Sequence, residues 1–174
     1  MDKYYVRQGQ MTLYQPYFFT LTAQNFRHVM KDDAMKMVVI ESLQYLVQSK
    51  LIELYGYVIM PNHIHLLWSL WNDNGKESAS TSLTKYTAHQ FKKLLLNKPS
   101  ELEQYAVVDR GRSYQFWKRD PLAIQITAHP IFLQKLDYIH TNPIQERWKL
   151  CGVPEDYRFS SASFYLGGKD EFGI

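Results

Sequence analysis

The sequence of 174 residues has a single cysteine, no long apolar run and almost no excess of charge of either sign. A lone Cys151 cannot form an internal disulfide, which favours a reducing, cytoplasmic setting. No stretch is long and apolar enough to predict a membrane-spanning helix. Residues 1–10 are predicted to form a polar arm, and they lack the apolar segment of a secretory signal. With 20 Lys and Arg against 17 Asp and Glu, the net charge of +3 permits a nucleic-acid partner without requiring one.

Aromatic residues, in contrast, are abundant at 15% of the chain. Interleaved with Lys and Arg, they could stack on unpaired bases beside phosphate-binding charges, although a Tyr-rich core is the simpler explanation. The 45% of apolar residues is enough for a proper core. We therefore expect one domain over residues 1–174, with a core from about 14 to 143 and a C-terminal appendage from about 144 to 174.

The hydrophobic pattern predicts the element order β, α, β-hairpin, α, β, α. The first half is predicted to contain a strand over 14–23, a helix from 33 to about 50, and two strands over 51–60 and 63–70 that are joined by the turn Pro61-Asn62. The next helix is predicted to be capped by Thr81 or Ser82 and to run to about 97, with Leu94 facing inward. A bent strand over 115–126 and a helix over 129–141 follow. This order is typical of an α+β, ferredoxin-like sandwich, in which an antiparallel sheet has helices packed on one face.

The first group of residues that could carry chemistry is His63-Ile64-His65 in the second hairpin strand. Residues i and i+2 of a strand point to the same face, so the two imidazoles should stand side by side. Such a pair can bind a divalent metal ion. A pair of surface or hydrogen-bonded histidines without a metal is the alternative.

The second group lies at the end of the last helix, where Tyr138 and Asn142 are four residues apart and share a helical face. Tyr138 falls at the edge of the apolar seam, so its hydroxyl could reach a site beside the sheet. A Tyr with a buried ring and a solvated hydroxyl is the common alternative. Asn142 precedes Pro143 and could instead cap the helix end.

Basic residues form a third group that could bind the phosphates of a nucleic acid. They are Lys85, Lys92, Lys93, Lys118 and Arg119. A solvated helix face is an equally good explanation for them. Four aromatic residues could stack on bases or pack in the core, namely Trp68, Trp71, Phe116 and Trp117. Residues 110–112 (RGR) read as a basic loop.

Taken together, these segments resemble a known family. The sequence GYVIMPNHIHLLW (56–68) resembles the HUH motif of single-tyrosine transposases, in which two His flank one hydrophobic residue. FWKRD (116–120), KLDYIHTNP (135–143) and PEDYRFSSASFY (154–165) resemble the REP-associated tyrosine transposases, the RAYT branch of that family. The resemblance extends over residues 14–165, and this family's fold is the same ferredoxin-like sandwich.

The resemblance implies a role for each matching residue. His63 and His65 match the metal-binding histidines, Tyr138 matches the nucleophile, and Asn142 falls where a third polar metal ligand is placed. It further implies Mg²⁺ or Mn²⁺ as cofactor and single-stranded or hairpin DNA as substrate. The expected activity is that of a single-stranded DNA endonuclease and strand-transferase that works through a 5′-phosphotyrosine intermediate.

Two other classes of function stay open at this stage. One is a non-catalytic or domesticated DNA-binding module of the same fold. The other is a metallohydrolase that uses His63 and His65 with a carboxylate such as Asp137 and needs no tyrosine. The oligomeric state, monomer or homodimer, is also open, and no membrane partner is expected.

Overall fold

An antiparallel sheet of four strands forms the centre of the structure, a computed structural model that describes residues 11–109, 112–168 and 171–174. The predicted arm over residues 1–10 and positions 110 and 111 of the basic loop lie outside the described residues. The strands are β1 (Pro16–Thr22), β2 (Ile52–Ile59), β3 (His63–Leu70) and β6 (Leu122–Gln125), in the order β2-β3-β1-β6. All neighbours are antiparallel. The predicted α+β, ferredoxin-like fold is confirmed.

Five α-helices and a small hairpin accompany the sheet in the described chain. The helices are α1 (Asp33–Gln48), α2 (Ala79–Leu95), α3 (Pro99–Glu103), α4 (His129–Thr141) and α5 (Ala162–Tyr165), and the hairpin is β4 (Ala106–Asp109) with β5 (Arg112–Tyr114). The two long helices α1 and α2 pack against each other. The small hairpin has no counterpart among the predicted elements.

Several boundaries differ from the prediction. Helix α2 begins earlier than predicted, because the Ser78 hydroxyl accepts the Thr81 backbone N–H at 3.2 Å and caps it. Helix α2 ends at Leu95, slightly before the predicted residue 97, and Pro99 occupies the first turn of α3, where its missing N–H has no cost. The predicted strand over 115–119 is wrong, since only Trp117 forms a bridge there, to Ala23. Leu94 is exposed rather than inward-facing.

Strand β3 is buried along its whole length because it lies inside the sheet and both of its faces are covered. His65 pairs with Thr20 of β1 and His63 with Thr22, so all four side chains share one face. Helix α4 lies over that face. Gly56 of β2 permits its close approach, because a Cβ there would come within 2.6 Å of Leu136 Cδ1.

The segment after α4 covers the free edge of β2. Ile59 donates its backbone N–H to Phe159 O at 2.9 Å, and Ser161 donates its own to Tyr57 O at 3.0 Å. The Tyr157 hydroxyl donates to Ile59 O at 2.8 Å. An edge strand that could pair with another chain is thereby occupied. Among the described helices, none has the length and apolar character needed to cross a membrane.

Candidate active site

Two histidines of β3 form the centre of the candidate site. His63 and His65 project from the same face, as the period of a strand predicts, and their ring centroids lie 4.6 Å apart. Both are buried, with exposed fractions of 8% and 5%. A buried imidazole needs hydrogen-bond partners or a ligand for its two nitrogens.

Asn62 determines which nitrogen of His63 carries the proton. Its side-chain Nδ2 donates to the Phe26 carbonyl oxygen at 3.1 Å, which directs its Oδ1 toward His63 Nδ1 at 2.7 Å. An amide oxygen only accepts, so His63 Nδ1 is the donor and Nε2 of the neutral ring keeps its lone pair. This is the arrangement by which a neighbouring group orients a metal-binding histidine.

His65 is oriented from the neighbouring strand. Its Nδ1 lies 2.8 Å from Thr20 Oγ1, and its ring stacks on Phe18 with centroids 5.1 Å apart. Its other nitrogen, Nε2, is buried and has no hydrogen-bond partner among the described residues. Such an orphaned atom is unfavourable unless a ligand occupies it.

Helix α4 brings Tyr138 and Asn142 to the histidines. The Tyr138 ring contacts His65 and Phe18 edge-on, at centroid distances of 5.3 and 5.9 Å, and 36% of the residue is exposed. Asn142 is fully buried, and neither Oδ1 nor Nδ2 has a hydrogen-bond partner in the described chain. Asn142 stands at the C-cap position of α4, where its backbone N–H donates to the Ile139 carbonyl. Its backbone is right-handed helical and its side chain caps no carbonyl within the described chain, so this position does not use the amide group.

Burial and nearby cations keep both histidines neutral. Burial and, to a smaller extent, the positive charge of Arg147 together lower the pKa of His63 to about 4. The nearby Asn142 side chain partly opposes the shift, although it forms no hydrogen bond of normal geometry with the ring. The pKa of His65 lies well below its ordinary value because of burial, His63, Arg147 and Lys135. The charged side chains that act on the pair are therefore cations.

Arg147 and Trp148 were not among the site residues predicted from the sequence. The Trp148 ring lies 5.7 Å from the His63 ring and 5.7 Å from that of His28, and the Arg147 guanidinium lies 5.8 Å from the Trp148 centroid. Trp148 Nε1 is buried without a partner in the described chain. Their place immediately after the helix that carries Tyr138 was the available signal, but the contact with His63 depends on how the chain turns after Pro143.

The donor set at this site fits a divalent cation. It comprises the imidazole nitrogens of His63 and His65 and the amide oxygen of Asn142, of which His65 Nε2 and Asn142 Oδ1 are buried without partners. Neutral imidazole and amide oxygen are both ordinary metal ligands. No group of three His, Cys, Asp or Glu suited to a metal occurs in the described residues, so the amide of Asn142 is the candidate for a third protein donor.

The predicted basic residues divide into two sets. Lys118 lies beside the turn that follows β1, with its Nζ 5.5 Å from the centroid of the Phe26 ring. The backbone carbonyl of Phe26 accepts a hydrogen bond from Asn62. Arg119, which follows Lys118, is exposed. The three lysines of α2, Lys85, Lys92 and Lys93, are exposed on a different element, where Lys85 pairs with Glu77 and Lys92 lies 5.2 Å from the Tyr114 ring. The structure brings none of these three into contact with the described site residues.

Most of the aromatic candidates belong to the core. Trp68, Phe116 and Trp117 are buried, and the Trp117 indole N–H donates to Thr87 Oγ1 at 2.8 Å. Trp71 is exposed and meets Tyr14 at the end of the sheet where β1 begins. Stacking on DNA is therefore excluded for the three buried rings in this conformation.

A solved structure shares the fold of this chain, whereas comparisons of its sequence found no match. No protein-family model and no curated protein matches the sequence. Among solved structures, a REP-associated tyrosine transposase bound to a REP hairpin is similar with a TM-score of 0.64 and 16% identity, over 97% of this chain and 88% of that one. A proposed transposase from Deinococcus radiodurans R1 has a TM-score of 0.45 and 18% identity, over 76% and 94% of the two chains. At 16% identity, the first similarity establishes that this chain has the fold of that transposase.

Proposed function

We propose that this protein is a transposase-like enzyme of the RAYT type that cleaves and rejoins single-stranded DNA beside a hairpin. One observation carries the proposal: the partly exposed Tyr138 ring stands 5.3 Å from the ring of a buried histidine whose free nitrogen has no partner among the described residues. A tyrosine nucleophile beside a metal-binding pair is suited to a metal-assisted phosphotyrosine mechanism. The fold shared with a transposase that binds a DNA hairpin supports the same conclusion.

His63, His65 and Asn142 would hold the divalent cation, Mg²⁺ or Mn²⁺. When bound, the cation supplies Lewis-acid polarisation of the scissile phosphate. Thr20 and Asn62 keep the histidines in place, since each lies within hydrogen-bond distance of an Nδ1 atom. Because the pKa of His63 is about 4, protons compete little for its Nε2 at neutral pH.

Tyr138 acts as the nucleophile. Its phenolic oxygen forms a bond to the phosphorus while the bond from phosphorus to the 3′ oxygen breaks. The phenolic proton leaves the enzyme, and the departing 3′ oxygen takes up a proton to become a hydroxyl. The 5′ end stays attached to Tyr138 through a phosphodiester, so a DNA 3′ hydroxyl can reverse the step without an external energy source.

The charges around the site suit a phosphodiester substrate. Arg147 and Lys135 both act on His65, and the Lys135 Nζ lies 4.9 Å from the Phe18 ring that also contacts Tyr138. These cations attract a DNA phosphate and stabilise charge that develops on it. Lys118 and Arg119 would bind the neighbouring strand, and the lysines of α2 would bind duplex DNA farther away.

The two alternatives make different demands on the site. A metallohydrolase needs a carboxylate near the histidines, yet the charge of Asp137 acts on His140, whose pKa it raises against the effect of burial. A non-catalytic DNA-binding module does not need Tyr138 beside unpartnered ligand atoms.

One chain contributes Tyr138, His63, His65 and Asn142 together, so the proposed chemistry can be completed by a monomer.

A covalent-adduct assay tests the proposal. Labelled hairpin oligonucleotides with unpaired flanks are incubated with the protein and Mn²⁺ or Mg²⁺, then separated on a denaturing gel. We expect a metal-dependent protein–DNA band that is absent with Tyr138→Phe and with His63→Ala. Tyr45→Phe is the matched control, because Tyr45 is an exposed tyrosine on α1 and should leave the band unchanged.

Each contrary result identifies a different function. Cleavage without an adduct, unaffected by Tyr138→Phe, would establish the metallohydrolase. Tight hairpin binding without cleavage in either metal would establish the DNA-binding module.

A further inference from the structure

The turn that follows β1 holds an aromatic ring in solvent at an unfavourable backbone conformation. Asn25 and Phe26 have φ angles of 54° and 55°, and 62% of Phe26 is exposed. Left-handed backbone is common for Asn but rare for a bulky aromatic residue. The fold therefore maintains a conformation that contributes nothing to core packing, a pattern often associated with a functional site.

Hydrogen bonds tie this turn to the candidate site. Asn62 donates its Nδ2 to the Phe26 carbonyl and accepts the His63 Nδ1–H on its Oδ1. The Ala23 N–H donates to the Asn62 carbonyl at 2.8 Å, and the Phe26 N–H to the Ala23 carbonyl at 3.0 Å. One side chain thus separates the Phe26 backbone from the His63 ring, so the position of Phe26 is fixed relative to that of His63.

A cation accompanies the exposed ring. Lys118 Nζ lies 5.5 Å from the Phe26 centroid, and the Lys118 N–H donates to the Thr22 carbonyl at 2.8 Å, which fixes this residue beside the end of β1. A positive charge next to an exposed aromatic face is the combination that binds an unpaired nucleotide, because the ring stacks on the base while the charge meets the phosphate.

A polar cleft of about 710 Å³ has Phe26 in its lining but neither His63 nor His65. Arg27 lies in its wall with a buried Nε that has no partner among the described residues. Lys98 there is paired with Asp32 and Glu101, at 3.5 and 3.7 Å. Arg27 donates from Nη1 to Gln104 Oε1 at 2.9 Å, and neither it nor Lys31 forms an ion pair within the described residues. With Arg27, Lys31 and Lys98 against Asp32 and Glu101, the lining has a net charge of 3 − 2 = +1, which favours an anionic strand that passes over Phe26.

We propose that Phe26, with Lys118 beside it, is a stacking platform for an unpaired base of the DNA strand adjacent to the phosphate held at His63. The platform deepens the proposed function and rests on it. Stacking requires only the π-face that every base has, so the platform anchors the strand regardless of its sequence. The bound strand continues into the cleft lined by Arg27 and Lys31.

Equilibrium binding without metal tests the platform separately from catalysis. The probe is a fluorescently labelled DNA hairpin with short randomised unpaired flanks, and affinity is measured by anisotropy for the full chain. We expect Phe26→Ala to weaken binding by about 10-fold. Phe26→Trp, which keeps an aromatic face, should bind within about twofold of the wild type.

Tyr14→Ala is the matched control. Tyr14 also has a positive φ of 63° and is 66% exposed, but it precedes β1, at the opposite end of the strand from Phe26. Its removal should leave the affinity unchanged.

Phe26→Gly supplies a second measurement, because glycine adopts φ > 0 freely. The variant should unfold at no lower temperature than the wild type and yet bind DNA as weakly as Phe26→Ala.

The outcomes separate the two proposals. Wild-type binding with equal affinity for Phe26→Ala overturns the platform and leaves the proposed function standing. An equal loss in Tyr14→Ala also overturns the platform, since any exposed aromatic would then suffice. If the wild type binds neither the hairpin nor its unpaired flanks, the proposed function is overturned and the platform with it.

Discussion

Replacing Thr20 with Val tests whether the contact from β1 orients His65. The hydroxyl of Thr20 lies 2.8 Å from His65 Nδ1, and valine has nearly the same shape and is equally compatible with a strand. The substitution therefore removes the hydrogen bond with little change in packing. A buried Nδ1 is left without a partner next to an Nε2 that already lacks one among the described residues.

The magnitude follows from two separate effects. An unsatisfied buried polar atom costs about 1–3 kcal/mol, so the metal-free variant should unfold about 4–8 °C lower for a loss near 2 kcal/mol. Loss of the group that orients a metal-binding histidine typically weakens metal affinity about 10–100-fold. Thr22→Val is the control, because Thr22 lies on the same face of β1, opposite His63, and its side chain makes no hydrogen bond within the described chain.

Thermal unfolding without metal and titration with Mn²⁺ measure the two effects. We expect Thr20→Val to lower both the unfolding temperature and the metal affinity, and Thr22→Val to change neither appreciably. If Thr20→Val matches Thr22→Val in both measurements, Thr20 does not orient His65 and the reasoning about this histidine is wrong.

Three further predictions concern pH, the amide ligand and the basic residues. Below pH 6.5 the unfolded chain binds a proton at His63, whereas the folded protein, in which the pKa of His63 is about 4, does not. The metal-free protein should therefore lose about 3 kcal/mol of stability between pH 6.5 and 4. Denaturant unfolding should show a smaller loss in the His63→Ala variant. Asn142→Ala should lower Mn²⁺ affinity about 10-fold while hardly reducing metal-free stability, since its amide has no hydrogen bond to lose in the described chain; unchanged affinity would remove Asn142 as a ligand. Lys118→Gln should reduce the salt dependence of hairpin binding by about one phosphate contact. Lys85→Gln should reduce it less, because Lys85 already forms an ion pair with Glu77.

Local periodicity was sufficient for the architecture and for which side chains share a face. The alternation in β3 places His63 and His65 together, and the four-residue spacing in α4 places Tyr138 and Asn142 together, because both patterns follow from backbone geometry alone. The element order likewise predicted the ferredoxin-like sheet. Local signals gave the wrong start for helix α2, because several neighbouring Ser and Thr residues could cap it. Ser78 is the actual cap, ahead of the predicted Thr81.

Only the tertiary structure decided what surrounds those side chains. The low pKa of His63 depends on burial beneath a segment that is distant in sequence, and no local pattern encodes burial of that kind. Trp148 and Phe26 come near His63 because the chain turns after Pro143 and after β1, and turns of this type depend on long-range hydrogen bonds such as those of Asn62. The sequence by itself thus determined which residue types could carry the chemistry, whereas the packing of separate segments determined their charge state, their orientation and their neighbours.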